Sequence, residues 1–278
     1  FAAFPEWYAT LFSGFYLALF LILIALIVRG VAFEFRSKKS NPTWRKRWDI
    51  AIVVSSFVPA LLWGVAFANI VAGVPMEPNP AGGSLFTGNL FTLLNPYALL
   101  GGLVTLTLFV THGASFLALK TEGEIRDRSN KLAGQVGLAA AVLAVLFGVW
   151  TQLAHSNNTV VSLVFLAVAV LAWVGSLAAN RLGREGWAFI ASSITMVGVV
   201  AFLFACLFPN VMPSSTVAEA TLGGIRSNIA HAPELAAILD PVFAGRPWPE
   251  WQERLRRHEI RRAGDSSTPP STTERTMP

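Results

Sequence analysis

The sequence is poor in cysteine and in charge, and both shortages exclude classes of function. Cys206 is its only cysteine, which excludes an intrachain disulfide, a cysteine-ligated cluster and a zinc ribbon. We interpret it as a small apolar packing residue. Charged residues make up 13% of the 278 residues, against about 25% in a typical soluble domain. The chain also has no phosphate-binding glycine loop and no Ser/His/Asp arrangement typical of a hydrolase. A soluble enzyme of these classes is therefore excluded.

What the sequence does contain is long apolar runs, since 54% of its residues are hydrophobic. About 20 helical residues cross the hydrocarbon core of a bilayer. Six stretches reach that length, at 8–28, 50–71, 97–119, 132–154, 160–179 and 187–208. None has the long alternating pattern of a membrane barrel. The sequence therefore predicts an all-α fold, a polytopic membrane bundle of six transmembrane helices over residues 1–215.

The distribution of lysine and arginine predicts how this bundle is oriented. Within the first 215 residues every cation falls in one of three clusters, which occupy alternate connections between the apolar stretches. Because cations are costly to translocate, we predict that loops 29–49, 120–131 and 180–186 are cytoplasmic and that both ends of the six-span region face outward. The net charge of +5 then reflects topology and contact with lipid headgroups, and we expect no nucleic-acid partner.

Residues 216–278 have a different character and contain no stretch able to cross a membrane. We predict a polar, largely disordered tail that ends in a run of Ser, Thr and Pro at 266–278. Within it, residues 247–262 form a candidate helix with Trp248, Trp251 and Leu255 on one side. This segment is either an interfacial helix or a solvated helix on a disordered tail.

Ionisable groups in or beside membrane spans are the natural candidates for chemistry. Glu34 follows the first predicted span and Asp49 precedes the second, so both are candidates for a proton route from the cytoplasm. The structural alternatives are an ion pair of Glu34 with Arg29 or Arg36, and a position of Asp49 near a helix N-cap. His112, in the third span, is a candidate proton relay, a haem ligand, or a hydrogen-bonded packing residue.

A six-coordinate haem needs a second axial ligand, and the sequence offers His112 no convincing partner. His155 lies at the opposite edge of the predicted membrane, His231 and His258 lie in the tail, and Met196 is the remaining option. We therefore expect no haem or metal site in this chain, and we expect a partner subunit rather than a self-sufficient enzyme. The alternative is a secondary transporter or exporter of a small solute. Such proteins usually carry polar or ionisable groups near the midplane, often between inverted repeats, but these spans have no mid-span carboxylate.

Several sequence runs, in order along residues 1–215, together resemble subunit II of the cytochrome bd-type quinol oxidases. They include Phe-Pro-Glu-Trp-Tyr-Ala-Thr at 4–10, Arg-Gly-Val-Ala-Phe-Glu-Phe-Arg at 29–36, Trp-Arg-Lys-Arg-Trp-Asp at 44–49, Leu-Leu-Asn-Pro-Tyr-Ala-Leu-Leu-Gly-Gly at 93–102, Thr-His-Gly-Ala-Ser-Phe-Leu-Ala-Leu-Lys-Thr at 111–121 and Phe-Pro-Asn-Val-Met-Pro-Ser-Ser at 208–215.

The resemblance implies a respiratory complex of a prokaryotic inner membrane that oxidises quinol and reduces oxygen to water. In such a complex haem b and haem d belong to the larger, haem-bearing subunit I. Subunit II packs against this partner, in contact with membrane lipid and quinone, and helps to bring cytoplasmic protons to the oxygen site. Proton uptake from inside makes the reaction electrogenic without a pump.

The resemblance also has departures. The family has nine spans, and the six found here correspond to its third through eighth. The first two, which carry the buried acid usually invoked for proton uptake, and the last are not found. No residue here takes over that acid's role by resemblance. We expect that the sequence begins partway into a longer protein, that its likeness to the family ends at Ser215, and that it is a fragmentary copy.

Overall fold

The computed structural model describes residues 5–78, 84–217 and 220–223. In chain order, these residues form α1 (Pro5–Gly14), α2 (Tyr16–Arg36), α3 (Pro42–Ala72), β1 (Met76–Pro78), β2 (Ser84–Phe86), α4 (Leu90–Leu93), α5 (Pro96–Lys120), α6 (Glu124–Ala154), α7 (Thr159–Arg181), α8 (Glu185–Leu207), β3 (Asn210–Met212) and β4 (Leu222–Gly223). The candidate helix at 247–262 lies outside the described residues.

Six helices in this part of the chain are long and apolar enough to span a membrane, namely α2, α3, α5, α6, α7 and α8. The predicted all-α membrane bundle is confirmed. Its helices extend beyond the predicted spans, and the connections at the basic end shrink to residues 37–41, 121–123 and 182–184. The cations of the predicted loops therefore lie largely on helix ends. Their long side chains can reach water while the backbone stays helical.

The predicted first span, 8–28, is wrong in its bounds, because the helix is interrupted at Phe15. This residue has φ −94° and ψ 10°, between α1 and α2. Its side chain is 2% exposed, and its ring centroid lies 6.4 Å from that of Phe86. Burial of this aromatic ring against β2 accompanies the break. The membrane-spanning helix is therefore α2, which runs eight residues past the predicted end.

The bundle is organised around α5, which packs against α3, α6 and α8, while α7 pairs with α8. At the crossing of α3 and α5 the two backbones approach closely because Gly64 faces Gly101 and Gly102. A Cβ atom on Gly64 would lie 2.5 Å from the carbonyl oxygen of Gly101. Small residues allow this approach in membrane helices. In contrast, α2 lies at the edge of the bundle and packs mainly on α3.

The segment between α3 and α5 has more regular structure than its glycine and proline content predicts. β1 and β2 pair antiparallel, and β3 pairs antiparallel with β4. Val74 and Ser214 form a parallel bridge between the two regions. Ser214 Oγ and Thr216 Oγ1 donate to the carbonyl oxygen of Met76 at 3.0 and 2.6 Å. We call this set of strands and bridges the outer cap. Such long-range pairing leaves no periodic signal in so short a segment.

Candidate functional site

At the basic end of the bundle, a buried carboxylate joins α6 to α8. Glu185 is the first residue of α8, and its side chain is 11% exposed. Its Oε1 accepts hydrogen bonds from Arg126 Nε at 2.9 Å, from Arg126 Nη2 at 2.7 Å and from Asn130 Nδ2 at 3.0 Å. Asn180 Nδ2, on α7, donates in turn to Asn130 Oδ1 at 3.1 Å. We call Arg126, Asn130, Asn180 and Glu185 the inner clasp, because they tie three helices together at one end.

Further into the membrane, His112 on α5 contacts α8. Its Nδ1 lies 2.8 Å from Ser192 Oγ, and its ring stacks on Phe189 with centroids 4.5 Å apart. Ser192 is fully buried and donates its single hydroxyl proton to the carbonyl oxygen of Phe189 at 2.8 Å. The hydroxyl can therefore only accept from His112, which assigns the imidazole proton to Nδ1. His112 Nε2 is then a free acceptor, with no partner among the residues that the structure describes.

The other two predicted site residues lie at the corner between α2 and α3. Asp49 forms an ion pair with Arg36, and both side chains are about half exposed. Asp49 lies seven residues inside α3, which begins at Pro42 under an Asn41 cap, so its proposed position near the N-cap is wrong. Glu34 is exposed on α2, and no ion pair to Arg29 or Arg36 is found in the described part of the chain. No described contact links this corner to His112.

The geometry does not favour a haem held by two histidines of the described region. The ring centroid of His155 lies 4.7 Å from that of Tyr97, with the rings tilted by 52°, near the opposite end of α5 from His112. Fifteen residues of helix separate Tyr97 from His112, which is roughly 22 Å at 1.5 Å per residue. One haem iron cannot be reached from both positions. The described residues also contain no group of three or more His, Cys, Asp or Glu side chains that could hold a metal ion.

An apolar crevice of about 250 Å³ opens between α5, α6, α7 and α8. Phe147, Trp173 and Phe202 line it, and Thr195 contributes a hydroxyl that is already bonded to the carbonyl oxygen of Ala191 at 2.9 Å. Trp173 Nε1 likewise donates to the Gly137 carbonyl oxygen at 3.1 Å. The crevice suits hydrocarbon and offers no acid or base.

The inner clasp was missed by sequence reasoning. Arg126 lies in one of the basic clusters that predict the topology. Glu185 lies in the short predicted loop 180–186, where no sequence pattern marks it as a site residue. One signal was available, because Asn130 and Asn180 are amides that flank two neighbouring basic connections. Amides at helix ends often bind across a helix interface in a membrane. Their partners could not be identified without knowing that α6 and α8 meet.

Comparison with known proteins gives a consistent picture over most of the chain. The family model described as cytochrome bd terminal oxidase subunit II matches residues 1–239. The match extends past Ser215, so the expectation that the likeness ends there is wrong. A probable cytochrome oxidase subunit 2 of Haemophilus influenzae is 39% identical over 254 residues, which cover 80% of this chain and 67% of the relative.

Two further relatives agree. Cytochrome bd-I ubiquinol oxidase subunit 2 of Escherichia coli K12 is 35% identical over 254 residues, with 80% of this chain and 67% of the relative covered. Cytochrome bd ubiquinol oxidase subunit 2 of Bacillus subtilis is 30% identical over 267 residues, with 92% of this chain and 77% of the relative covered.

Proposed function

The chain belongs to the cytochrome bd terminal oxidase subunit II family and is a subunit of a terminal quinol oxidase, and on that premise we propose its part in the complex. It is the subunit without haem, packed against a haem-bearing subunit I in a prokaryotic inner membrane. Quinol is oxidised and oxygen is reduced to water in the complex, and haem b and haem d of subunit I carry the electrons. The observation that supports this division is that His112 and His155 do not converge.

The orientation that we propose puts the inner clasp on the cytoplasmic side. Two of the three basic connections are neighbours, because Arg126 binds Glu185 and Asn130 binds Asn180 across them. The third lies between α2 and α3, two antiparallel helices of the same bundle. Retention of cations on the cytoplasmic side supports assigning all three connections to it.

We propose that His112 is the proton-handling group of this chain and that Glu34 and Asp49 act at the cytoplasmic surface. The free Nε2 can take up a proton while Nδ1–H keeps its bond to Ser192. Phe189 and Ser192 fix the ring, so that a proton is held at a defined atom. A proton carried to the oxygen site from this side consumes cytoplasmic protons, which makes quinol oxidation electrogenic.

The test of the subunit assignment is co-purification. We expect that a tagged copy of this chain, expressed with the haem-bearing subunit of the same organism, retains that subunit together with d-type and b-type haem bands and quinol oxidase activity. The measurement is the reduced-minus-oxidised spectrum of the eluate. A chain that elutes alone and colourless, or that binds stoichiometric haem when expressed by itself, would contradict the assignment.

The test of the proton route compares two His112 variants in the complete complex. His112→Gln keeps a donor for Ser192 but cannot be protonated, whereas His112→Leu loses both properties. If Nε2 carries protons, both variants lower turnover by about tenfold or more, because acid–base groups typically contribute large rate factors. We expect smaller losses, about twofold, for Glu34→Gln and Asp49→Asn, since neighbouring water can replace an exposed acid.

The control is the haem spectrum, which should not change in any of the four variants. Turnover should be recorded across pH, since a structural role of His112 would leave the pH profile of His112→Gln unaltered. Full turnover of that variant at every pH would reduce His112 to a packing residue. The same result for the two acid variants would leave Glu34 and Asp49 structural.

A further inference from the structure

The positive charge of the basic end is concentrated at one corner. Residues 29–49 contain seven lysines and arginines against two acids, which gives +5 and equals the formal net charge of the whole chain. The connection at 120–131 has four cations against three acids, and that at 180–186 has two against one. Four and two cations thus suffice at the other two connections, since lysine and arginine set the orientation and acids contribute little to it. The excess at the α2–α3 corner calls for another explanation than topology.

Aromatic rings form a platform beneath these cations. Lys39 Nζ lies 4.7 Å from the ring centroid of Trp44, and Trp44 Nε1 donates to the carbonyl oxygen of Phe35 at 2.8 Å. The ring of Trp48 lies 5.7 Å from both Phe35 and Trp44. Tryptophan rings favour the headgroup level of a membrane, so this platform fixes the depth of the corner. The cation–π contact also holds Lys39 in place.

Most of the cations at this corner are free to bind an anion. Arg36 already forms an ion pair with Asp49. Lys38, Arg45, Lys46 and Arg47 are exposed and have no carboxylate within salt-bridge distance in the region that the structure describes. Lys38, Lys46 and Arg47 can therefore donate to an anion, beside Lys39 on Trp44 and Arg45, whose charge also acts on Asp49. Ammonium and guanidinium groups are the usual phosphate donors.

The two helices that leave the corner expose hydrocarbon directly next to it. On α2, Ile27 and Phe33 are 57% and 55% exposed, and on α3, Ile50 and Val53 are 55% and 65% exposed. Because α2 is the edge helix of the bundle, this wall continues along its length with other exposed aliphatic residues. A ligand that fits both parts has an anionic head and long acyl chains.

We propose that the α2–α3 corner binds an anionic phospholipid, with its phosphate among Lys38, Lys39 and Arg45–Arg47 and its acyl chains against α2 and α3. Free inorganic phosphate would use the cations without the apolar wall. An acidic segment of another protein would not need exposed aliphatic residues at membrane depth. The phospholipid accounts for both features, and the proposal does not depend on which electron-transfer reaction the complex performs.

The experiment titrates the purified chain in detergent with phosphatidylglycerol or phosphatidylcholine and counts bound lipid by native mass spectrometry. We expect phosphatidylglycerol to bind at least about tenfold more tightly. The corner variant R45Q/K46Q/R47Q should lose roughly fivefold in affinity for each cation removed, or about a hundredfold in all. The control is K120Q/R128Q/K131Q, which removes three exposed cations from residues 120–131, one of them paired with Glu124, and should retain the affinity.

Three results would overturn the proposal. Equal affinity for the two lipids, or an equal loss in the control variant, would reduce the effect to general surface charge. Displacement of phosphatidylglycerol by equimolar inorganic phosphate would assign the corner to a free anion. Undiminished phosphatidylglycerol binding by the corner variant would show that the lipid does not bind at this corner.

Discussion

Gly64→Ala is expected to destabilise the bundle by about 3 kcal/mol, at the upper end of the usual cost of overpacking. The added methyl group would meet Thr105 Oγ1, would lie 2.5 Å from the Gly101 carbonyl oxygen, and would lie 2.7 Å from Gly102 Cα. Two of these are backbone atoms that cannot rotate away. α3 and α5 would therefore have to separate.

Gly113→Ala provides the control on the facing helix, α5, because a Cβ atom there meets nothing within 4 Å. Alanine has the higher helix propensity, so this variant should be neutral or more stable by up to about 1 kcal/mol. The measurement is the free energy of unfolding in mixed micelles, followed by circular dichroism. Similar stabilities of the two variants would mean that α3 and α5 are not packed as closely as the structure places them.

Glu185→Ala is the second large effect, with an expected loss of about 2 kcal/mol. Removing one partner of a buried ion pair typically costs 3–5 kcal/mol, but Arg126 is 45% exposed and water can solvate it in part. The loss extends to Asn130, which would keep only its bond from Asn180. We expect the ends of α6, α7 and α8 to loosen together.

An exposed ion pair on α6, the helix that carries Arg126, supplies the comparison. Arg128 and Glu124, one turn apart on α6, are 78% and 77% exposed. Glu124→Ala should therefore cost no more than about 0.5 kcal/mol. Hydrogen exchange of the α6–α8 ends, read beside the unfolding free energy, separates the two cases. Equal exchange rates in both variants would show that Glu185 contributes no more than a surface carboxylate.

The number of spans was predictable because hydrocarbon thickness sets a minimum apolar length, which α3 and α5–α8 meet without ambiguity. The helix ends were not predictable, because cations such as Arg36 lie on the last turn of a helix, whereas the sequence pattern assigns them to the loops. The break at Phe15 depends on contact with Phe86, about seventy residues away, and has no local marker.

The candidate site was likewise only partly predictable from the sequence. His112 was identifiable as a polar residue inside a span, but its hydrogen bond to Ser192 required the pairing of α5 with α8. The role of Glu185 and Arg126 depends on their contact between α6 and α8. In the sequence, each is one charged residue among several in its own connection. Asp49 was expected just before the second span, but it lies seven residues inside α3, because the helix begins at Pro42.

The outer cap has a consequence for biogenesis. The carbonyl oxygen of Met76 accepts hydrogen bonds from residues synthesised 138 and 140 positions later. A chain emerging from the ribosome places α3 and the β1–β2 hairpin in the membrane region long before Ser214 exists. Water can satisfy this carbonyl in the meantime. The cap therefore closes only after α8 has been made, so the strands between α3 and α5 reach their final pairing later than the helices that flank them.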